Sequence, residues 1–108
     1  MINEITANEF GASISNCKDI VLVNFTANWC APCQIQHAIL EVWSNTQDRN
    51  IFIYKVDVDR SPELAIKYQV RNIPTMVVFK EGKEVFNHMG LIKDTELDNI
   101  INEASSPQ

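Results

Sequence analysis

Two cysteines, Cys30 and Cys33, stand three residues apart in the stretch Asn28-Trp29-Cys30-Ala31-Pro32-Cys33. On a helix, positions i and i+3 share a face with Cβ atoms about 5–6 Å apart. A disulfide asks for about 3.5–4.5 Å, so a small local adjustment lets such a pair open and close. A β-branched run ends near Phe25 and a helix opens near Pro32. Cys30 therefore falls where free backbone N–H groups and the positive end of the helix dipole favour a thiolate. Pro32 suits the first turn, where its missing N–H costs nothing. Thiolate is the species that attacks a disulfide, so the spacing offers thiol–disulfide exchange with Cys30 as the attacking sulfur. The same C-x-x-C is also half of a zinc site, which takes about four ligands. The remaining candidates, Cys17, His37 and His88, stand at irregular spacings without a second C-x-x-C. That pattern speaks against a metal centre.

The elements that must hold this pair are legible in the hydrophobic period, which switches between two and roughly 3.6. Ile2 to Ile5 reads as a weak first strand, and Thr6-x-x-Glu9 as a capping box opening a helix that buries Phe10 and Ile14. Ile20 to Phe25 is a continuous apolar run, as expected of a strand covered on both faces. The helix after the cysteines should run to Gln47, with Ile35, Ile39, Leu40 and Trp43 on its apolar stripe. Ile51 to Val58 is expected to be a second buried strand. Ser61-Pro62-Glu63 starts a helix with Ser as N-cap and Pro at the first helical position.

Thr75–Phe79 and Glu84–Phe86 flank Lys80-Glu81-Gly82-Lys83, a hairpin with Gly at its turn. Asp94 to Glu103 closes the chain as an amphipathic helix carrying Leu97, Ile100 and Ile101, and the tail 104–108 is expected to fray. The order is βαβαβ followed, after the Ser61 helix, by ββα. Such an order makes one α/β domain, residues 1–108, with a central mixed sheet and helices on both faces.

At 108 residues the chain can bury an ordinary core without disulfide staples. The net charge of −5, with nine scattered Lys and Arg, excludes the clustered positive surface that nucleic acid requires. Met1-Ile2-Asn3-Glu4-Ile5 lacks the basic-then-apolar pattern of a secretory leader, so none is expected, and no apolar run approaches the roughly 18–20 residues of a membrane span. Three cysteines, two of them adjacent in the motif, are not the even, dispersed set of a secreted framework. A cytoplasmic protein with no nucleic acid and no membrane among its partners is expected.

The segment Phe25-Thr26-Ala27-Asn28-Trp29-Cys30-Ala31-Pro32-Cys33, with Ile73-Pro74-Thr75, Lys55-Val56-Asp57-Val58-Asp59 and Met89-Gly90, resembles the thioredoxin family. The resemblance covers roughly Val21 to Ile101. It implies the thioredoxin fold, with about five strands flanked by about four helices. It also implies an exposed nucleophile at Cys30 and a buried resolving thiol at Cys33, joined in a redox-active disulfide. Trp29 resembles the ring beside the active site, and Pro74 the cis-proline facing the cysteines. Ile73, Pro74, Met89, Gly90 and Leu91, with Trp29, resemble the rim that receives substrate polypeptide, Ile73 offering backbone hydrogen bonds.

The sequence departs from the family pattern at four places. Ala31 replaces the usual Gly of the dipeptide, Ala38 replaces a helix-kinking Pro, and Thr26 fills a site that is often aromatic or small. Most consequential is Asn24, where the family has a buried Asp that resembles a proton acceptor for the resolving thiol. An amide cannot take up a proton at neutral pH. Lys55 matches the lysine neighbouring that Asp and here lacks its partner. Asp57 and Asp59 trail toward the strand end, and His37 is expected on the outer, solvated face of its helix. Cys17, outside the motif, is expected to be a buried small hydrophobe.

The resemblance implies a general protein thiol–disulfide oxidoreductase with no bound cofactor or metal, acting on disulfide-containing protein substrates. Electrons would come from NADPH through a flavoprotein thioredoxin reductase, and the protein would be a monomer. Two rivals stand beside it: a low-turnover binding module or subunit of the same fold, and a specialised oxidase or isomerase. Intact Cys30, Cys33, Trp29 and Pro74 speak against the first. The apolar Ala31-Pro32 dipeptide speaks against the second.

Overall fold

The computed structural model describes residues 2–106. Its elements are β1 (Asn3–Glu4), α1 (Ala7–Ser15), β2 (Ile20–Thr26), α2 (Ala31–Ser44), β3 (Ile51–Asp57), α3 (Pro62–Lys67), β4 (Thr75–Lys80), β5 (Lys83–Met89) and α4 (Asp94–Ser105). The five strands form one sheet in the order β1-β3-β2-β4-β5. β3 runs parallel to β1 and β2, whereas β4 is antiparallel to β2 and to β5.

Side chains alternate across a strand, and the central strands use that alternation to feed two cores. From β2, Ile20 and Leu22 join Leu40 and Trp43 of α2 and Leu97 and Ile101 of α4 on one face. Val21, Val23 and Phe25 join Phe10 and Ile14 of α1 and Leu64 of α3 on the other. Asn24, two residues after Leu22, continues the α2 side of the strand. The sheet is thus covered on both faces, as the apolar run at Ile20–Phe25 requires.

The capping box forms: the Thr6 N–H and hydroxyl both donate to Glu9 Oε1 at 2.9 Å. The hairpin turns on Glu81 and Gly82, both at positive φ (53° and 79°). This is the twist-matched geometry of a two-residue turn.

Five expectations need correction. β3 is only half-covered: Val56 and Asp57 are buried, but Phe52 is 43% exposed. Its neighbour β1 pairs only with Tyr54 and Lys55, leaving the first residues of β3 at an open edge. On α2 the buried positions are Cys33, Gln36, Leu40 and Trp43, while Ile35 is 54% exposed. Leu40 and Trp43 hold the expected stripe with Ile39 packed at its side, but its first turn runs through Cys33 and Gln36 rather than Ile35. α2 also ends at Ser44, because Thr46 Oγ1 donates to the Trp43 carbonyl at 2.7 Å and turns the chain. Ser61 holds the N-cap position of α3, but its side chain makes no cap hydrogen bond. Finally, α4 continues to Ser105, with Ala104 packed on the core, so the expected fraying does not begin at 104. Residues 107–108 of that tail lie outside the described residues.

Candidate active site

β2 ends at Thr26 and α2 begins at Ala31, so Ala27 to Cys30 form the whole strand-to-helix connection. Ala27 is buried, and its carbonyl accepts from the Cys30 N–H at 3.2 Å, folding the connection back over the end of the strand. Cys30 is the N-cap of α2, with extended backbone. Its Sγ accepts the Cys33 N–H at 3.2 Å, which is the place an N-cap oxygen ordinarily takes. The two cysteines are joined in a disulfide, with Cα atoms 5.2 Å apart. A sulfur that receives a helix N-terminal N–H and sits at the positive end of the dipole is favoured as a thiolate once the bond opens.

Pro74 and its neighbours close the site from the β4 side. The Ile73–Pro74 peptide is cis. The Ile73 carbonyl oxygen lies 3.9 Å from Cys30 Sγ, and Ile73 and Val58 pack against the cluster of Ala27, Cys30 and Cys33. The β4–β5 register sets Met89 opposite Thr75, and Gly90, at positive φ, donates its N–H to the Pro74 carbonyl at 2.8 Å. Trp29 is 70% exposed, Met89 52% and Leu91 41%. Exposed apolar side chains gathered around a reactive sulfur are the kind of surface that receives another polypeptide. Cys33 is fully buried, as expected, but Cys30 is itself only 5% exposed in the disulfide form, which corrects the expectation of an exposed sulfur. The packing of Ile73 and Val58 covers it.

A thioredoxin family model matches residues 1–103. The chain belongs to the thioredoxin family. It is 37% identical to thioredoxin C-2 of Corynebacterium nephridii over 91% of each chain. It is 36% identical to the thioredoxin of Chlamydia trachomatis over 95% of this chain and 98% of that one. Among solved structures, a mutant thioredoxin from Halobacterium salinarum superimposes with a TM-score of 0.85 at 30% identity, over 99% of this chain and 92% of that chain. Family membership, with a Cys30–Cys33 disulfide at the start of α2, makes this protein a thiol–disulfide oxidoreductase of the disulfide-reductase kind.

The parallel β2–β3 ladder sets Asn24 opposite Lys55 and Thr26 opposite Asp57. Asn24 is buried, and its Oδ1 has no hydrogen-bond partner among the described residues. An orphaned buried acceptor of this kind costs about 1–3 kcal/mol. Lys55, half-buried, borders a cleft of about 120 Å³ together with Glu4, Cys33, His37 and Asp57. Ala31 is exposed, whereas Pro32, exposed as well, completes the first turn of α2.

Four polar residues outside the cysteine motif support the site, and of these only Gln36 stands outside the sequence-based expectations. Asp59 accepts the Trp29 indole N–H at 2.8 Å, fixing the exposed ring. Gln36 is buried on α2; its Nε2 donates to the Ile92 carbonyl at 3.1 Å and its Oε1 accepts the Ile92 N–H at 2.7 Å. That pair anchors the chain just after Met89-Gly90-Leu91. His37 is not on the outer face as expected: its side chain is 35% exposed and lines the cleft that Cys33 borders. Asp57 lies at the end of β3, as expected, and is buried, with Oδ1 accepting the N–H groups of Asp59 at 2.8 Å and Arg60 at 3.3 Å. A polar residue at an apolar-stripe spacing, as at Gln36, was the one available signal. Cys17 is half-buried against the α1–α3 core. Among the described residues no cluster of His, Cys, Asp or Glu could hold a metal ion.

Proposed function

We infer that this protein is a general reductant of protein disulfides, in which Cys30 attacks and Cys33 resolves. The observation that carries the reading is the Cys33 N–H donated to Cys30 Sγ at the N-terminus of α2. The Cys30 thiolate attacks a substrate disulfide, forming a Cys30–substrate disulfide and releasing one substrate thiolate. Cys33, losing its proton, attacks Cys30 Sγ; the intramolecular disulfide forms and the second substrate thiol leaves. Substrate polypeptide lies along Trp29, Met89, Gly90 and Leu91, and pairs with the Ile73 backbone beside Pro74 in strand-addition fashion.

Two electrons from NADPH, delivered by a flavoprotein thioredoxin reductase, regenerate the dithiol. The reading puts the protein in the cytoplasm as a monomer, where the thiol pool favours reduction. No helix among the described residues is long and apolar enough to cross a membrane. Equilibration with a glutathione buffer tests the direction of electron flow. A potential near about −270 mV fits a reductant, and one near about −120 to −180 mV an oxidant or isomerase. Cys30→Ser should abolish insulin reduction, and Cys33→Ser should accumulate a covalent adduct with substrate, seen by intact-mass spectrometry. Normal turnover by Cys33→Ser would sink the assignment of roles.

A further inference from the structure

The resolving step requires Cys33 to lose a proton, and Asn24, the buried polar side chain within β2, is an amide that cannot accept one. Cys33 is closed off from bulk solvent but borders the cleft between α2, β1 and β3. A volume of about 120 Å³ is enough for several water molecules, each needing about 10–15 Å³. The proton therefore has a polar space to enter, and the question is which group lining that space can receive it.

The titratable side chains lining the cleft are Glu4, His37, Lys55 and Asp57. Glu4 is engaged at both oxygens by Arg60 Nη1, at 2.9 and 3.1 Å. Asp57 accepts two backbone N–H groups at Oδ1 and has Arg60 Nε 4.0 Å from Oδ2. Lys55, as an ammonium, carries donors and no acceptor. His37 is the one imidazole among them: its Nε2 lies 3.3 Å from Glu41 Oε1, and Nδ1 has no hydrogen-bond partner among the described residues. A carboxylate at Nε2 favours the tautomer with its proton on that nitrogen and the lone pair on Nδ1. Cys33, His37 and Glu41 follow one another at intervals of four along α2, so they share one helix face.

Resting on the resolving role of Cys33, we propose that His37, oriented by Glu41, is the proton acceptor for the Cys33 thiol through water in the cleft. The Cys33 S–H proton passes to Nδ1, and the Cys33 thiolate forms the bond to Cys30 Sγ. The Cys30–substrate bond breaks, the substrate leaves as a thiolate, and the imidazolium returns its proton to solvent or to that thiolate. The sequence thus carries an acceptor on α2 in place of one on β2.

Stopped-flow mixing of the reduced Cys17→Ala protein with equimolar 5,5′-dithiobis(2-nitrobenzoate) separates the steps. Attack by Cys30 releases a first thionitrobenzoate, and resolution by Cys33 a second. His37→Gln should slow the second phase roughly tenfold at neutral pH, less than the about 10²–10⁴ of a directly bonded base, and leave the first unchanged. It should also flatten the pH dependence of the second phase relative to the parent protein. Glu41→Gln should give a smaller slowing, and added imidazole should restore the second phase of His37→Ala. A second phase with unchanged rate and pH profile in His37→Gln overturns the proposal, as does loss of the pH dependence in Asp57→Asn but not in His37→Gln. A wild-type protein with no second phase at all would instead overturn the resolving role of Cys33 on which the proposal rests.

Discussion

Asn24 and Lys55 face each other across the parallel β2–β3 ladder, and the amide oxygen of Asn24 is left without a partner among the described residues. The position is buried, so its chemistry depends on what the side chain can carry rather than on solvent.

Asn24→Asp should therefore do two things. It should speed resolution near neutral pH and restore the rate lost in His37→Gln, by supplying a buried carboxylate acceptor at the position where the family has its acid. It should also destabilise the fold at pH 7 by about 1–3 kcal/mol, because burial penalises the new carboxylate and Lys55 offsets only part of that penalty. Burial raises the folded-state value of the new carboxyl above its unfolded value of about 3.9. The penalty is then absent below the unfolded value and grows as pH rises through the folded one. Denaturant midpoints of both forms at acid and alkaline pH check the sign; a pH-independent difference would contradict it.

Gln36→Ala should cost about 2–4 kcal/mol, since it strips both the N–H and the carbonyl of buried Ile92 of their partners. Chemical denaturation measures this, and amide exchange at Gly90 to Ile92 should accelerate in the same variant. A loss below about 1 kcal/mol would mean that water replaces the amide.

Two glycines should respond with opposite sign. Gly11 lies in α1 with nothing within 4 Å of the space a Cβ would fill, so Gly11→Ala should stabilise by about 0.5–1 kcal/mol. Gly82 has φ +79°, and a Cβ there would meet the Ser15 carbonyl oxygen at 3.1 Å. Gly82→Ala should destabilise by about 1–2 kcal/mol. Thermal unfolding of the two single variants decides it.

The Thr6 backbone N–H, followed by the Thr6 hydroxyl, holds the Glu9 carboxyl below its ordinary value of 4.5. The cap contribution is then fully present above 4.5 and is lost as pH falls through the lower folded-state value. Wild type should exceed Glu9→Gln in stability at neutral pH, with the gap narrowing in acid below 4.5. Urea titrations at the two pH values measure the gap, and a gap that widened in acid would reverse the sign.

The sequence by itself determined what is local or periodic in this protein. Thr6 and Glu9 are a capping box because they stand at i and i+3, and Ile20 to Phe25 is a doubly covered strand because no polar residue but Asn24 interrupts the run. The Glu81-Gly82 turn required its glycine. Cys30 and Cys33 meet because a helix start brings i and i+3 together, and the family resemblance by itself marks Trp29, Ile73, Pro74 and Met89-Gly90.

Tertiary structure decided the contacts that no local rule encodes. Ile35 is outside and Gln36 inside because the phase of α2 is set by its packing on β2 and α4, and Gln36 finds its partners 56 residues away at Ile92. Cys30 is covered because Ile73, remote in sequence, packs on it. His37 reaches the Cys33 cleft because α2 lies over the edge formed by β1 and β3, a placement fixed by the sheet order rather than by the residues around the histidine. Periodicity says which face of a helix a residue occupies, but only the assembled sheet and its neighbours determine what that face meets.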